Sequence, residues 1–223
     1  MVADPGARLG PARAVDPVGG VCHAERMASS RPPRTIYYTA ATLDGFLADD
    51  HHDLGWLLRL TPDPERTPPA FDFATFFAGV GAMMMGGNTY RWVHRHEDLA
   101  AQPQRWTDVY GTTPCWVFSS QDLPPVKGAD IRPVRGAVAD VLPAVRAAAG
   151  NRDVWLLGGG DLVGQVDDAG GLDELRVSIA PVTLGAGRPL LPRRLEQRLT
   201  LTGVDTDGTF AYLAYDVAPP AAG

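Results

Sequence analysis

This chain of 223 residues has no long apolar run, no excess of basic over acidic residues and a single lysine, Lys127. The longest apolar stretches, such as residues 78–87 (AGVGAMMMGG), are much shorter than the roughly 20 apolar residues of a membrane-spanning helix. The formal net charge is −6, whereas a protein that binds nucleic acid through its phosphates needs a basic surface. We therefore expect neither a membrane nor a nucleic acid as a partner.

Cysteine occurs only twice, at Cys22 and Cys115. Cys22 lies in a segment that we predict to be disordered, and Cys115 lies in the apolar, strand-like run PCWVF. A structural disulfide is therefore not expected, which indicates a cytoplasmic protein. For Cys115 two interpretations stay open: a buried, inert side chain, as free cysteine usually is, and a reactive thiol.

The composition is that of a globular protein, with 45% hydrophobic and 21% charged residues,. Residues 1–33 are rich in alanine, glycine, proline and arginine, show no apolar period and contain no hydrophobic segment of the kind found in secretory signals. We predict a disordered N-terminal extension over residues 1–33 and one domain over residues 34–219, a length that suits a single core.

Strand-like and helix-like segments alternate along that domain. TIYYTAA and AMMMGG are typical of buried strands, whereas FDFATFF and AVADVLPAVRAAAG have the spacing and composition of helices. The last two predicted strands flank Asp207 and Gly208, a strong hairpin signal. This order predicts an α/β fold with a mostly parallel central sheet and a C-terminal antiparallel hairpin.

A glycine triplet is the sharpest local motif. In VWLLGGGDLVGQ a predicted strand ends in Gly158, Gly159 and Gly160, and a predicted helix follows directly. Glycines let the backbone approach a ligand closely, and the start of a helix offers N–H groups and a positive dipole end to a pyrophosphate. Neither the dinucleotide fingerprint G-x-G-x-x-G nor a P-loop is present. Taken alone, the motif leaves a pyrophosphate site and a tight packing turn equally open.

Two further strand ends, in MMMGGNTY and VFSSQ, carry glycine or serine. In open α/β sheets the carboxyl ends of the strands form the nucleotide site, although each motif on its own is also a common helix cap. The candidate cofactor-binding residues are Gly86, Gly87, Asn88, Thr89, Ser119, Ser120, Gly158, Gly159, Gly160, Asp161 and Leu162.

Together with two other segments, these motifs resemble the dihydrofolate-reductase-like superfamily, and within it the RibD C-terminal domain of bacterial riboflavin biosynthesis. The matching segments are YYTAATLDGFLAD, MMMGGNTY, WVFSSQ, VWLLGGGDLVGQ and LDELRVSIAPVTLGAGRPLLP, in family order from about Thr35 to Val217. The resemblance implies a three-layer dihydrofolate-reductase-like fold that binds NADPH. It also implies a homodimer, since similar proteins are often dimers.

The resemblance assigns parts of the cofactor to particular segments. It implies that the turn at Gly158 to Gly160 carries the pyrophosphate, through a cis Gly-Gly peptide, and that MGGNTY approaches the adenosine end. Ser119 and Ser120 would lie near the 2′-phosphate. Family members often have an arginine at the position of Gly87, where it grips that phosphate. The preference for NADPH over NADH is therefore open unless Arg91 or a serine takes this role.

The substrate side is indicated by fewer residues. Asp44 resembles a pocket residue of riboflavin-type reductases, and Asp72 matches the carboxylate that binds the pteridine in true dihydrofolate reductases; both are predicted to be catalytic. The alternatives are that Asp44 makes a turn and that Asp72 complements a helix dipole. Thr42, Trp56 and Pro181 are predicted to bind substrate, although Trp56 is equally consistent with the core and the loop at Pro181 with a structural role.

The histidine pairs in the sequence do not predict a metal site. Neither the run His51, His52, Asp53 nor the pair His94 and His96 has the spacing of helical or finger-type ligands. Hydride transfer from a nicotinamide needs neither a metal nor a protein nucleophile.

The sequence thus predicts an NADPH-dependent reductase that transfers hydride to a small heterocyclic or imine-like substrate. Three alternatives stay open: a true phosphoribosylaminouracil reductase of riboflavin biosynthesis, a dihydrofolate reductase, and a nucleotide-binding module without turnover.

Overall fold

The computed structural model describes residues 32–63 and 65–220. The strands are β1 Thr35–Thr42, β2 Phe46–Ala48, β3 Val80–Gly86, β4 Cys115–Phe118, β5 Ile131–Val134, β6 Asp153–Gly158, β7 Glu174–Ala180, β8 Arg188–Pro189, β9 Leu199–Thr206 and β10 Ala211–Val217. The helices are α1 Gly55–Leu58, α2 Phe73–Ala78, α3 Gly87–His96, α4 Gln104–Tyr110, α5 Val138–Ala149 and α6 Gly160–Asp168. The predicted extension over residues 1–33, with Cys22, lies almost wholly outside the described residues.

Eight strands form one sheet in the order β5-β4-β3-β6-β1-β7-β10-β9, and β2 pairs separately with β8. Strand β1 runs parallel to β6 and β7, and β3 runs parallel to β4 and β6. The last strand, β10, is antiparallel to both β7 and β9. The predicted fold class, a mostly parallel sheet closed by an antiparallel hairpin, is confirmed.

The sheet is covered on both faces because its strands are apolar on both faces. Along β1, Ile36 and Tyr38 pack into one core while Tyr37, between them, packs into the other, as the two-residue period of a strand requires. Helices α2, α3 and α4 contribute to the first core, and α5 and α6 to the second. The result is a three-layer α/β/α arrangement. Among the described residues, no helix is long and apolar enough to cross a bilayer.

The helices that follow β3 and β6 lie on opposite faces of the sheet. These two strands are parallel neighbours, yet α3 packs into the first core and α6 into the second. The chain therefore leaves the sheet in opposite directions at adjacent strand ends. Such a switch point opens a crevice beyond the carboxyl ends of the strands, where ligands of open α/β sheets bind.

Strand β9 forms one lateral edge of the sheet and carries exposed apolar side chains. Strand β9 pairs with β10 alone within the described residues, and Leu199, Leu201 and Val204 on it are 40%, 52% and 65% exposed. An exposed edge strand of this kind can pair with the edge strand of a second chain. The homodimer expected from the resemblance stays a prediction.

Candidate active site

A cleft of about 630 Å³ opens where β3 and β6 end, a size typical of small-molecule sites. It is bounded by the N-terminal turns of α3 and α6, by the residues after β4, and by the loop that joins β2 to α1. All of the predicted cofactor-binding residues line it: Gly86, Gly87, Asn88, Thr89, Ser119, Ser120, Gly158, Gly159, Gly160, Asp161 and Leu162. The structure thus gathers three distant motifs at one site.

The glycines of the triplet are needed for different reasons. Gly158 has φ +127°, a backbone conformation that favours glycine, and its peptide bond to Gly159 is cis,. A Cβ on Gly160 would lie 2.4 Å from the carbonyl oxygen of Pro189, so that glycine allows β8 to pack on α6. A Cβ on Gly159 would meet no protein atom within 4 Å. Gly159 therefore keeps space free on the cleft side.

Two helices begin at this cleft without a side-chain cap. The N-cap residues are Gly86 for α3 and Gly159 for α6, and neither helix start receives a side-chain hydrogen bond. The first N–H groups of a helix have no partner within the helix and carry its positive dipole end. Two such ends at one cleft suit a ligand with two or more phosphate oxygens. Asp161, in the first turn of α6, has a largely exposed side chain that accepts a hydrogen bond from Gln165 at 3.0 Å.

The guanidinium of Arg91 stands beside Gly87. Its Nη2 donates to Oδ1 of Asn88 at 2.9 Å, and its Nη1 donates to Oγ of Ser119 at 3.3 Å. A Cβ on Gly87 would lie 2.7 Å from Oγ of Ser119 and 3.2 Å from Nη2 of Arg91. The space beside Gly87 is therefore already filled by two side chains. One is Ser119, directly after β4, and the other is Arg91, one helical turn further along α3. A side chain at position 87 would therefore require Ser119 or Arg91 to move.

His52 reaches the cleft from the loop between β2 and α1. The carboxylate of Asp49 accepts hydrogen bonds from the backbone N–H groups of His51 and Asp53, and this closes the loop into a tight turn. His52 takes φ +63° in that turn, and its Nε2 lies 3.4 Å from Nδ2 of Asn88. The pattern of two adjacent histidines gave no sign of this position, which depends on how the turn folds.

The charges around His52 disfavour its protonation in the free protein. Partial burial lowers the pKa of His52 below its ordinary value of 6.5, and the positive charges of Arg188 and Arg91 lower it further, against the opposing effect of Asp49,. Arg188, on β8, donates from Nη2 to the carbonyl oxygen of Asp50 at 2.9 Å. This end of the cleft thus holds two permanent cations and one imidazole whose protonated form a bound anion would favour.

The remaining wall of the cleft is apolar and continuous with the first core. We call it the inner pocket, and it is made of Thr39, Ala40, Leu54, Leu57, Trp92, Val93, Tyr110, Trp155 and Leu157. Trp155 is held by a hydrogen bond from its Nε1 to the carbonyl oxygen of Tyr38 at 3.0 Å. The inner pocket offers two indole rings and aliphatic side chains to a ligand, and sequence patterns did not mark it.

The predicted substrate-side residues lie outside the cleft lining. Trp56 is buried in the first core and donates from Nε1 to the carbonyl oxygen of Leu47 at 3.2 Å. Thr42 is fully buried at the end of β1, and its Oγ1 accepts a hydrogen bond from the backbone N–H of Phe46 at 3.0 Å. Pro181 is exposed on the loop after β7. Their roles in substrate binding stay predictions.

The two carboxylates predicted to be catalytic are also outside the lining, and each has a structural partner. Asp72 is the N-cap of α2, and its Oδ1 accepts from the backbone N–H of Thr75 at 2.8 Å. Asp44 accepts backbone hydrogen bonds from Leu184 at 3.0 Å and Gly185 at 2.7 Å. A hydrogen bond from Thr42, followed by these backbone donors, lowers the pKa of Asp44. Asp44 thus fixes the turn after β1 to the loop after β7.

Neither the histidines nor Cys115 forms a metal or thiol centre in the described part of the chain. Over residues 32–63 and 65–220, no three His, Cys, Asp or Glu side chains are placed to share a metal ion. Cys115 is fully buried on β4, and burial raises the pKa of its thiol. A buried thiol that stays protonated is a poor nucleophile. Of the two interpretations of Cys115, the buried, inert side chain fits the structure.

Comparisons with known proteins agree with the family resemblance. The sequence model of the RibD C-terminal domain matches residues 93–212, which confirms the family predicted from the motifs. The chain is 27% identical over 177 residues to the uncharacterised protein YyaP of Bacillus subtilis (strain 168), an alignment that covers 78% of this chain and 87% of YyaP.

Solved structures show the same fold. A protein of Shewanella sp. PV-4 described as a riboflavin biosynthesis protein superposes with a TM-score of 0.63 at 23% identity, over 82% of this chain and 98% of that one. The diaminohydroxyphosphoribosylaminopyrimidine deaminase/5-amino-6-(5-phosphoribosylamino)uracil reductase of Thermotoga maritima superposes with a TM-score of 0.56 at 13% identity, over 84% of this chain and 57% of that one. At these identities the likeness concerns the fold.

Proposed function

Because the chain belongs to the RibD C-terminal domain family, we propose that it is a reductase that binds NADPH in the cleft between β3 and β6. The observation that carries the proposal is the open space beside Gly159, where a Cβ would meet no protein atom within 4 Å although the residue joins the end of β6 directly to the start of α6. A backbone turn left bare on its ligand side, next to two uncapped helix starts, suits a pyrophosphate.

One end of the cleft, where α3 and α6 begin, carries its charged side chains, and we call it the charged end. Its residues suit the rest of such a cofactor. The N–H groups at the starts of α3 and α6 would hold the pyrophosphate, with the hydroxyl of Thr89 at the same strand end. Arg91 and Ser119 would hold the 2′-phosphate, since a guanidinium and a hydroxyl are both strong phosphate donors. When bound, the reduced nicotinamide supplies hydride. The protein's own task is to orient the acceptor against the nicotinamide.

Titration of the purified protein with NADPH, and separately with NADH, tests the proposal. Trp92 and Trp155 line the cleft, so bound nicotinamide should quench tryptophan fluorescence and gain emission by energy transfer. We expect both dinucleotides to bind and NADPH to bind more tightly, because only NADPH carries the 2′-phosphate that Arg91 is proposed to hold. Failure of both to bind would remove the proposal, and tighter binding of NADH would remove the role given to Arg91.

The position of His52 predicts that NADPH binding takes up a proton. In the free protein the pKa of His52 is below 6.5, so the imidazole is neutral at neutral pH. A nearby phosphate raises this pKa because it favours the charged form. The affinity should therefore increase as the pH falls toward the free pKa of His52. The gain in affinity is fully present below the pKa of His52 in the free protein. It is lost as the pH rises through the higher pKa of His52 in the complex.

Calorimetric titrations in two buffers with different heats of ionisation measure this proton uptake directly. The uptake should disappear in His52→Gln and persist in His51→Gln, a matched variant of the exposed neighbouring residue. An uptake that is unchanged in His52→Gln would show that His52 does not face the bound phosphates.

A further inference from the structure

The two ends of the cleft differ completely in charge. Among the described residues that line it, the charged or readily protonated side chains are Arg91, His52, Arg188 and Asp161. Arg91 and His52 both reach Asn88 at the start of α3, and Arg188 is close enough to lower the pKa of His52. Asp161 is in the first turn of α6. All four thus lie at the end where the two helices begin.

The inner pocket carries no charge in the described part of the chain. Its polar groups are the hydroxyls of Thr39 and Tyr110, together with the Nε1 atoms of its two tryptophans. The Oγ1 of Thr39 already donates to the carbonyl oxygen of Ala40 at 3.3 Å. Burial raises the pKa of Tyr110, so its phenol stays neutral at physiological pH. Trp155, the most deeply buried ring of the set, is 1% exposed.

We propose that the inner pocket takes a flat, uncharged ring compound with a conjugated carbonyl or imine group, and that it rejects acceptors that carry phosphate or carboxylate. The proposal rests on the proposed function, because it assumes that the dinucleotide occupies the charged end. Indole faces and leucine side chains favour planar apolar rings. An anion placed among them would lose its hydration without gaining a partner, which is costly.

The absence of an acid in this pocket also determines where the proton comes from. The acceptor gains hydride at an electron-poor carbon of the conjugated system, and the displaced electron pair moves to the oxygen or nitrogen. That atom then takes a proton from water, because the described inner pocket holds no carboxylic acid and no imidazole to donate one. Acceptors whose reduced anion is stabilised by conjugation need no stronger acid, which further favours conjugated carbonyl compounds.

The same arrangement argues against a phosphoribosyl pyrimidine as the acceptor. Its phosphate would need a cation, and the cations of the cleft, Arg91 and Arg188, stand at the end assigned to the dinucleotide. This chain would therefore differ in substrate from the 5-amino-6-(5-phosphoribosylamino)uracil reductase of Thermotoga maritima, whose fold it shares.

Equilibrium binding of matched ligands tests the proposal without requiring turnover. The protein is first saturated with NADP⁺, and naphthoquinone, naphthoquinone sulfonate and uridine monophosphate are then titrated while tryptophan fluorescence is followed. The first two share a ring system and differ by one negative charge. We expect naphthoquinone to bind at least roughly tenfold more tightly than either anion. Equal or tighter binding of an anion, or no binding of naphthoquinone, would overturn the proposal.

A charge placed in the inner pocket provides the second arm of the test. Leu57 lines the pocket, whereas Leu58, the next residue of α1, is 48% exposed and does not. Leu57→Lys should weaken naphthoquinone binding by roughly tenfold and improve sulfonate binding, in a protein that still binds NADP⁺. Leu58→Lys should change neither. An identical response of the two variants would contradict the placement.

The two proposals fail in distinguishable ways. If NADP⁺ itself does not bind, the proposed function is wrong, whatever the ring compounds do. If NADP⁺ binds and the anionic ligands are preferred, the proposed function stands and the substrate class is wrong.

Discussion

Gly159→Val is expected to weaken NADPH binding by roughly 100-fold or more, the upper range of what inserted methyl groups cost at a tightly fitted contact. The backbone at Gly159 has φ −81° and ψ 172°, which any L-residue can adopt. Protein atoms leave its Cβ position free. The Cβ of the valine therefore enters the space proposed for the pyrophosphate, and the side chain should exclude that group.

Two matched substitutions separate this effect from loss of the fold. Gly136 also has free space at its Cβ position and lies outside the cleft, so Gly136→Val should leave the NADPH affinity and the melting temperature unchanged. Gly160→Ala should lower the melting temperature, since its Cβ would approach the carbonyl oxygen of Pro189 to 2.4 Å. Gly159→Ala provides a smaller step at the same position. A folded Gly159→Val protein that binds NADPH normally would end the pyrophosphate assignment.

Arg91→Ala is expected to weaken NADPH binding by roughly 10- to 100-fold, the loss of about 1.5–3 kcal/mol that hydrogen bonds to a charged group contribute. NADH lacks the 2′-phosphate, so its affinity should change little. The ratio of the two affinities, measured by the same fluorescence titration, is therefore the informative quantity. It should fall toward one in the variant.

Arg95 offers the matched control for this substitution. It is exposed on α3, one turn beyond Arg91, and is not part of the cleft lining. Arg95→Ala removes the same charge from the same helix and should leave the ratio of affinities intact. An equal loss of both dinucleotides in Arg91→Ala would instead mean that Arg91 supports the shape of the site, through Asn88 and Ser119, and does not recognise the 2′-phosphate.

The charged end of the cleft could be predicted from sequence because its signals are local. A strand, a glycine and the start of a helix occupy consecutive residues, as at Gly158 to Gly160, and parallel strands place their carboxyl ends together. The resemblance also implied a cis Gly-Gly peptide in this turn, and the structure contains one between Gly158 and Gly159. The sequence named Arg91 or a serine as a replacement for the arginine missing at Gly87; the structure places Arg91 beside Ser119, and their role toward a 2′-phosphate stays a prediction.

The rest of the site depends on contacts between remote segments. His52 reaches the cleft because Asp49 closes its turn, and Leu57 lines the cleft from α1, the helix that follows this turn. Asp72 shows the opposite case: an acid before a helix has the same local pattern whether it caps the helix or serves a ligand. Helix α4 was not expected, because its seven residues are stabilised mainly by the burial of Trp106 and Tyr110.

The backbone contacts around the glycine turn also constrain how this cleft can diversify. Gly160 lies against the carbonyl oxygens of Pro189 and Leu190, and a Cβ on Gly187 would come within 2.2 Å of the carbonyl oxygen of Ala48. Side chains cannot be introduced at these crossings without separating the segments. New ligand preferences can therefore arise most easily in α1 and in the turn around His52, where side chains already face the cleft and the backbone frame need not move.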